Sequence, residues 1–359
     1  MEFVFWLSLA LLAYVYAGYP LLVAVWAKLA DRRPEKAEIN SKTGWPAISI
    51  VLAARNEAGR LPARVRNLLA VRYPGPREII VVSDGSTDDP AAALSLFRGE
   101  IRLLELPAGG KPAALNAGVA AARGEIIVFA DARQTFAENA LVELVANFAD
   151  PAVGGATGQL ILDAEHQHVD SSVGEGVGLY WRYEKWMRLN ESRVWSTLGA
   201  TGCIYALRRG LWRPLPSDTL LDDVLAPMRA VLEGTRIVFE ERALAFDRAS
   251  EDASAESRRK VRTLAGNYQI LRLEPRLLLP IVNPVWTQYV SHKVARLLVP
   301  WALVSALLSA GLLAMDGWFY ATAFAVQIGF YSLAAYGAWA EHRSRGAGGF
   351  RAAVREVAR

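Results

Sequence analysis

Residues 126–135 read IIVFADARQT, an apolar run that meets an aspartate and, two positions later, an arginine. The four strongly apolar residues and the alanine have the length of a buried strand, so Asp131 is predicted at the end of that strand. In open α/β sheets, the carboxyl ends of strands border the ligand-binding crevice. The stretch therefore predicts a core strand that ends at a functional site.

The sequence before this stretch repeats the same pattern of strand followed by helix. Three further apolar runs, AISIVLAA (47–54), EIIVVS (78–83) and IRLLEL (101–106), each precede a segment of helix-like composition. This alternation predicts an α/β fold with a mostly parallel sheet and helices on both faces. The loops that follow the four strands are therefore predicted to line one crevice.

Three long uncharged runs flank this middle region, at residues 3–27, 297–315 and 317–340. Each reaches the length of roughly 20 residues that a helix needs to cross a bilayer. The first run is expected to remain as an uncleaved anchor, because no basic residue precedes it and it is too long for a signal peptide. Lysine and arginine residues flank the runs in a way that predicts a multi-pass protein of the cell membrane with a cytoplasmic middle region.

These patterns divide the 359 residues into five predicted segments. They are an N-terminal transmembrane anchor (1–30), a cytoplasmic α/β domain (45–255), amphipathic interface helices (256–292), a transmembrane hairpin (293–340) and a basic cytoplasmic tail (341–359). The net charge is +4 with acids and bases mixed along the chain, which argues against nucleic acid as a partner. Cys203 is the only cysteine, so an internal disulfide is excluded.

Polar side chains follow the predicted strands, and each has an ordinary structural alternative. Asp84 ends an apolar strand, where its carboxylate can accept hydrogen bonds from a sugar or a base edge. Asp88 and Asp89, in the same SDGSTDD segment (83–89), equally suit a role as helix caps. Lys111 follows two glycines at a predicted helix start, where it suits phosphate oxygens, although a solvated loop lysine is the alternative.

Two later segments carry further charged candidates. Asp222 and Asp223 begin a predicted helix, where they are either catalytic acids or ordinary partners of the helix dipole. Arg259 and Arg262 lie on one side of a predicted amphipathic helix whose other side is apolar. That helix is either a cationic helix at a membrane surface or a source of arginines for a diphosphate.

Taken in order, these stretches resemble the membrane-bound family 2 glycosyltransferases, which include the synthases of cellulose, chitin, hyaluronan and poly-N-acetylglucosamine. The resemblance covers nearly the whole chain and rests on seven matches: ARNE (54–57), SDGSTDD (83–89), GGKPAALNAG (109–118), FADAR (129–133), TGCIYALRR (201–209), LLDDVLAPMR (220–229) and RRKVR (258–262). It implies a GT-A fold and an inverting transfer from a nucleotide-diphosphate sugar, usually a UDP-sugar. The implied acceptor is a saccharide or a lipid, with membrane lipids and export proteins as further partners.

The resemblance also implies roles for the residues of the donor side. Glu57 and Asp84 would hold the nucleoside, and Lys111 would contact the diphosphate. Asp131 stands at the first acid of the family's Asp-x-Asp motif, which binds Mg²⁺ or Mn²⁺. The expected cofactor is therefore one of these two ions.

The resemblance also implies which residues carry out the transfer step. Asp223 would be the general base, with Asp222 before it in the family's acidic pair. Arg259 and Arg262 match the first and fourth positions of the (Gln/Arg)-x-x-Arg-Trp motif and would reach the diphosphate. Thr263 stands where that motif has tryptophan, which favours a single transfer to a polyprenyl phosphate or lipid over a processive polymerase.

The largest departure from the family is Arg133, which stands where the Asp-x-Asp motif has its second acid. Asp131 alone would hold the divalent ion, with the diphosphate and water completing its shell, and this interpretation is preferred. Alternatively, Arg133 replaces the metal and pairs with phosphate, or it pairs with Asp131 to hold the loop. A non-catalytic subunit that senses nucleotide sugars for an export complex is the alternative from a different class.

Overall fold

Eight strands form one mixed sheet in the computed structural model, which describes residues 1–38, 44–163, 172–248 and 253–357. The strands are β1 Ile48–Ala54, β2 Arg77–Asp84, β3 Arg102–Leu106, β4 Ile126–Asp131, β5 Thr135–Phe136, β6 Val153–Asp163, β7 Ile204–Arg208 and β8 Arg236–Arg248. Their order across the sheet is β3-β2-β1-β4-β7-β6-β8-β5. The four predicted strands are confirmed, and Asp131 is the last residue of its strand.

The four predicted strands form the parallel half of the sheet. β1 lies between β2 and β4, and β3 pairs with the outer side of β2, all in parallel. Ile50 in β1 is opposite Ile79 on one side and Val128 on the other, and all three are buried. Strands covered on both faces are apolar throughout, which explains why these runs do not alternate with polar residues. Their carboxyl ends meet at one edge, as predicted.

The other half of the sheet is mostly antiparallel. β7 pairs antiparallel with both β4 and β6, and β5 pairs antiparallel with β8. β6 and β8 run parallel over a long stretch that contains two register shifts. This half extends the sheet beyond the strands that the sequence predicted, and it brings β8 to the loop that follows β4.

The helices of the described residues are α1 Glu2–Ala13, α2 Tyr19–Ala30, α3 Leu61–Ala70, α4 Pro90–Ala93, α5 Lys111–Ala121, α6 Ala140–Ala146, α7 Ser172–Val194, α8 Asp222–Leu232, α9 Ala253–Leu273, α10 Trp286–Tyr289, α11 Ala295–Leu312 and α12 Trp318–Val357. Local chemistry sets several of their starts. Proline stands in the first turn of α3, α4 and α5, where its missing N–H costs nothing. Asp89 caps α4 by accepting from the amide of Ala92, as predicted.

Helix α5 lies unusually close to the parallel strands because a glycine faces them. A Cβ at Gly118 would be 2.5 Å from Cγ1 of Val51 and 3.2 Å from Cγ2 of Val82. Both valines are fully buried in the sheet. This close packing fixes the depth of α5, and with it the position of Lys111 at the first turn of the helix.

A buried polar cluster joins α2, α7 and the π-helical turn Val290–Val294. The carboxylate of Glu191 accepts a hydrogen bond of 2.8 Å from the hydroxyl of Tyr19 and lies 2.6 Å from Nδ1 of His292. Nε2 of His292 lies 3.3 Å from Glu184, which also pairs with Arg296 at 3.1 Å. Buried charges are costly unless paired, so this cluster ties together segments that are far apart in sequence.

The chain divides into two compact units. One comprises Met1–Gly18 and Leu298–Arg359 and is helical, with Phe5 packed among residues of the C-terminal helices. The other, Tyr19–Leu297, contains the whole sheet and the polar cluster of Glu191.

Two helical stretches of the described residues, Glu2–Ala30 and Trp286–Leu312, are long and apolar enough to cross a membrane by length and composition. They overlap the first and second predicted spans. The third predicted span, residues 317–340, falls within α12 and stays a prediction. The side chains of the predicted basic tail, residues 341–359, lie outside the described part of the structure.

Replacing Gly118 with valine is expected to lower the free energy of unfolding by about 2 kcal/mol, because the added atoms overpack against Val51. Gly59→Val is the matched control, since a Cβ at Gly59 meets nothing within 4 Å. Denaturant unfolding of both variants in detergent measures the difference. Equal stability of the two variants would contradict the close packing of α5.

Candidate active site

Lys111 lies at the centre of the candidate site. Its ammonium is 3.2 Å from Oδ1 of Asp131 and 3.3 Å from Oδ2 of Asp222. These residues stand at the end of β4 and the start of α8, so three elements meet at one ion cluster. The side chain of Asp222 is 10% exposed, whereas those of Asp131 and Lys111 are 36% and 38% exposed. Asp131 and Lys111 therefore remain accessible to a ligand.

The acids around Lys111 keep it charged. Burial alone would lower the pKa of Lys111, but the charges of Asp222, Asp131 and Asp223 raise it well above its ordinary value. The ammonium is therefore a permanent cation at neutral pH. A cation in this position can stabilise a nearby anion.

Asp223 has the electrostatic surroundings of a group that works near neutral pH. Burial and the charge of Asp222 raise its pKa to about 6, while Lys111 and Arg188 oppose a larger rise. A Cβ at Gly202 would lie 2.9 Å from Oδ2 of Asp223, so this glycine leaves room for the carboxylate. A carboxylate with this pKa is suited to accept a proton at pH 7.

Arg188 is a residue of the site that sequence reasoning missed. It lies on α7, and its Nη1 donates a hydrogen bond of 2.8 Å to Oγ1 of Thr201. Thr201 in turn donates to the carbonyl of Gly158 at 2.9 Å. The charge of Arg188 also lowers the pKa of Asp223. No motif marks this arginine, because its approach to the site depends on how α7 packs.

Asp84 holds the loop that carries Lys111. It is buried at the end of β2, and its carboxylate accepts from the amide of Gly109 at 2.6 Å and from that of Gly110 at 3.0 Å. Gly110 has a φ of 85°, in the region that favours glycine. Arg55 lies 3.9 Å from the same carboxylate. The contact of Asp84 with a nucleoside stays a prediction.

Glu57 lies in the loop after β1, and this loop is tied to the loop after β2. The side-chain oxygen of Asn56 accepts from the amide of Thr87 at 2.9 Å, and the amide of Asn56 donates to Ser86 at 3.1 Å. Glu57 itself pairs with Arg60 on the following turn. Glu57 therefore lies in a loop at the carboxyl edge of the sheet, and its contact with a nucleoside stays a prediction.

Arg133 is paired with Asp247 on β8. Its Nη2 lies 2.6 Å from Oδ2 of Asp247, and Gln134 donates to the same oxygen at 2.7 Å. The expected alternative in which Arg133 pairs with Asp131 is therefore wrong, because Asp131 pairs with Lys111. Asp247 has a side chain that is only 9% exposed, so this pair anchors the loop after β4 to the second half of the sheet.

The predicted arginine pair lies on the exposed N-terminal half of α9, at Arg259 and Arg262. The helix attaches to the site further along its length. A Cβ at Gly266 would lie 2.5 Å from Cγ of Leu221, the residue before Asp222. The approach of both arginines to a diphosphate stays a prediction.

Residues 49–213 match the family model described as glycosyl transferase family 2. The matched stretch contains the parallel strands and the loops that carry Glu57, Asp84, Lys111 and Asp131. The chain therefore carries a family 2 glycosyltransferase domain, as the sequence resemblance implied.

Curated relatives share parts of this chain. Beta-monoglucosyldiacylglycerol synthase of Synechocystis sp. is 32% identical over 121 residues, which are 32% of this chain and 25% of the relative. Poly-beta-1,6-N-acetyl-D-glucosamine synthase of Staphylococcus aureus is 23% identical over 235 residues, which are 62% of this chain and 55% of the relative. The chain thus spans from a quarter to just over half of the length of these relatives.

The fold has a solved counterpart that covers nearly the whole chain. A mannosyltransferase from Pyrobaculum calidifontis, solved in complex with GDP-Man and Mn²⁺, is similar with a TM-score of 0.68 and 22% identity. The similarity covers 93% of this chain and 92% of that chain. The predicted GT-A fold is confirmed.

Replacing Gly202 with alanine is expected to displace the carboxylate of Asp223 and to lower kcat by about tenfold or more, because small displacements at a reacting centre are costly. The thermal midpoint of unfolding should change little, since the nearest contacts of the added Cβ are all with one side chain, that of Asp223. Gly210→Ala is the control, as a Cβ at Gly210 meets nothing within 4 Å. An unchanged kcat in Gly202→Ala would argue that Asp223 does not need this position.

Proposed function

We propose that the protein transfers a sugar from a nucleotide-diphosphate sugar to a hydroxyl group of a lipid-linked or saccharide acceptor, with inversion at the anomeric carbon. The observation that carries this proposal is the position of Asp223. A carboxylate with a pKa of about 6 lies beside an acidic pair that holds a permanent cation at the carboxyl edge of the sheet. This arrangement supports a role for Asp223 as the base and for Lys111 as the cation that would stabilise an anionic leaving group.

The donor side of the site is charged in a way that suits a diphosphate together with a divalent ion. Asp131, Asp222 and Asp223 bring three negative charges to one place, against the positive charges of Lys111 and the nearby Arg188. A diphosphate would be repelled by this excess, and a divalent cation offsets it. Asp131 would hold Mg²⁺ or Mn²⁺, since exposed carboxylate oxygens are the ligands that these ions prefer.

The metal site would not be a cage built by the protein alone. Among the described residues, no group of three or more acidic, histidine or cysteine side chains is arranged to hold a metal ion. Mg²⁺ is commonly held by one or two carboxylates together with substrate phosphates. When bound, the ion would supply charge stabilisation of the leaving diphosphate, while Lys111 contributes a fixed charge from the protein.

The acceptor hydroxyl would be activated by Asp223. The carboxylate takes the proton as the hydroxyl oxygen attacks the anomeric carbon, and the bond to the diphosphate breaks on the opposite face. A positioned general base contributes about 10²- to 10⁴-fold to such a step. Arg188, hydrogen-bonded to Thr201 beside this carboxylate, would help to keep Asp223 ionised before the acceptor arrives.

Exposed apolar side chains on and after α9 support an acceptor at a membrane surface. They are Val261, Leu264, Tyr268, Leu279, Ile281 and Val282, and Ile281 is 98% exposed. Exposed cations at 258–260 and 262 lie on the same helix, a composition that is typical of helices at a lipid surface. Together with the two apolar helical stretches, they support a multi-pass protein of the cell membrane that works at the cytoplasmic face.

The names of the relatives support a glycolipid or a polysaccharide as the product. Thr263, in the place of the motif's tryptophan, favours a single transfer to a lipid or polyprenyl phosphate over processive polymerisation. We expect a UDP-sugar as the donor, and GDP-sugars belong in the same assay because the solved counterpart binds GDP-Man. The proposal also includes the five segments predicted from the sequence, from the N-terminal transmembrane anchor (1–30) to the basic cytoplasmic tail (341–359).

Asp223→Asn is expected to lower sugar transfer by at least about a hundredfold, because the variant cannot accept the proton of the acceptor. Nucleotide binding should remain, because the ion pairs of Lys111 are with Asp131 and Asp222 and are left intact. Release of nucleotide from a panel of UDP- and GDP-sugars measures transfer, and a UDP or GDP titration measures binding. Asp218→Asn is the control, as Asp218 pairs with Arg272 on the surface. Ordinary turnover by Asp223→Asn would show that another group is the base.

Removal of divalent ions with excess EDTA is expected to abolish nucleotide release, and Mg²⁺ or Mn²⁺ should restore it. Arg133→Ala should remain dependent on the ion, because Arg133 is already paired with Asp247. Release that persists in EDTA and is lost in Arg133→Ala would instead mean that the arginine takes the place of the metal. The assay uses the purified full-length protein in detergent.

A further inference from the structure

We propose that Asp222, and not residue 133, is the second protein ligand of the divalent ion, and that Lys111 is an internal counter-ion that occupies this cation site until a donor and metal displace it. The proposal rests on the proposed function in one respect, namely that a divalent ion accompanies the nucleotide sugar. It adds Asp222 as a second protein ligand, Lys111 as a cation that competes with the metal, and an order in which metal and nucleotide bind.

The ammonium of Lys111 marks the cation site. It lies almost equally far from the two acids, at 3.2 Å from Asp131 and 3.3 Å from Asp222. A metal ion that takes oxygen ligands from the same two carboxylates would have to occupy this space. Mg²⁺ binds oxygen at about 2.1 Å, so each carboxylate would have to move inward by roughly 1 Å, which side-chain rotation permits. The ammonium and the metal therefore exclude one another.

Asp222 has a buried oxygen that is poorly satisfied without a metal. Its Oδ2 has no hydrogen bond within the described part of the chain, and the ion pair with Lys111 is its contact with opposite charge. Buried carboxylate oxygens are normally hydrogen-bonded or bound to a metal. Oδ2 of Asp222 therefore has the properties expected of a metal ligand in the absence of its metal, and the partly exposed carboxylate of Asp131 lies nearby.

A second buried group beside these acids also lacks a partner. Tyr205 is fully buried on β7, stacked on Phe129 with ring centroids 4.5 Å apart. Its hydroxyl has no hydrogen bond among the described residues. Burial and the charges of Asp222, Asp223 and Asp131 raise its pKa well above the ordinary value. The hydroxyl is thus a protonated, buried donor that is affected by the charges of the acids of the site.

Residue 133 is not available as a ligand of this ion. The family motif places its second acid there, but here the side chain is an arginine anchored to the buried Asp247. Gln134 binds the same carboxylate and fixes the loop further. Among the described residues, the ammonium of Lys111 forms ion pairs with two acids, Asp131 and Asp222. Asp222 is therefore the candidate for the second ligand.

The charges predict the order of binding. With Lys111 in place, the metal must compete with a tethered cation, so the free protein should bind metal weakly. A nucleotide diphosphate brings new oxygen ligands for the ion and an anionic partner for the ammonium. Lys111 can then move from the carboxylates to the diphosphate, and the ion can take its place. Metal and nucleotide should therefore bind with strong positive cooperativity.

The test is a Mn²⁺ titration of the purified full-length protein in detergent, read by the loss of the EPR signal of free Mn²⁺, without any nucleotide. Lys111→Met should bind Mn²⁺ at least about tenfold more tightly than the unaltered protein, because the competing charge is gone. Lys111→Arg keeps the charge and should still bind weakly. Lys185→Met is the matched control, since Lys185 pairs with Glu241 away from the cluster.

Second substitutions then identify the ligands. In the Lys111→Met background, Asp131→Asn and Asp222→Asn should each remove the gain in Mn²⁺ affinity, and Arg133→Gln should leave it unchanged. Circular dichroism and thermal unfolding check that each variant is folded. If Lys111→Met does not fold, the Mn²⁺ affinity of the unaltered protein and of Asp222→Asn is compared with UDP or GDP present, and Asp222→Asn should weaken it at least about tenfold.

Two results would overturn the proposal: no gain of Mn²⁺ affinity in Lys111→Met, or a gain that survives Asp222→Asn. Because the titration needs no turnover, it is separable from the proposed function. The expected Mn²⁺ pattern without transfer from any donor would overturn the proposed function and leave the cation site standing. Transfer together with Mn²⁺ binding that ignores Asp222 would overturn the cation site alone.

Discussion

The ion cluster of Lys111 with Asp131 and Asp222 depends on one ammonium that offsets mutually repelling acids. Three carboxylates from β4 and α8 would repel one another at this short range if no cation lay between them. The position of that cation is set from two directions. Asp84 holds the glycine loop before α5, and Gly118 lets the helix approach the sheet. The geometry of the site thus depends partly on residues outside the ion cluster itself.

The same crowding gives the acids different chemical characters. Asp131 is open and paired, Asp222 is buried with an oxygen that lacks a hydrogen bond, and Asp223 has a pKa raised to about 6. In the proposed mechanism, these different environments would let three identical side chains divide metal binding and proton transfer between them. The cost includes two buried oxygens, Oδ2 of Asp222 and the hydroxyl of Tyr205, that have no hydrogen bond among the described residues.

Much of the parallel half of the fold could be predicted from sequence because its signals are local. Apolar runs mark the strands, and Asp131 and Lys111 stand where a strand ends and a helix begins. The partner of Arg133 could not be predicted, since Asp247 lies 114 residues away on a strand that the sequence did not predict. Arg188 was missed for the same reason, because its contact with Thr201 depends on the packing of α7. The local sequence pattern predicts where the loops of the site lie. Which charged side chains pair with one another depends on contacts between residues far apart in sequence.

The polar cluster around Glu191 has a consequence for how the molecule is made. Its carboxylate binds a hydroxyl from Tyr19 and an imidazole from His292, so it joins partners 172 residues upstream and 101 residues downstream. The ribosome synthesises Tyr19 first, Glu191 next and His292 last. The complete cluster therefore cannot form until His292 has emerged. The hydrogen bond between Tyr19 of α2 and Glu191 can therefore form only after residue 191 has been synthesised, and the contact with His292 follows 101 residues later. Assembly of this region is in that sense a late event in biosynthesis.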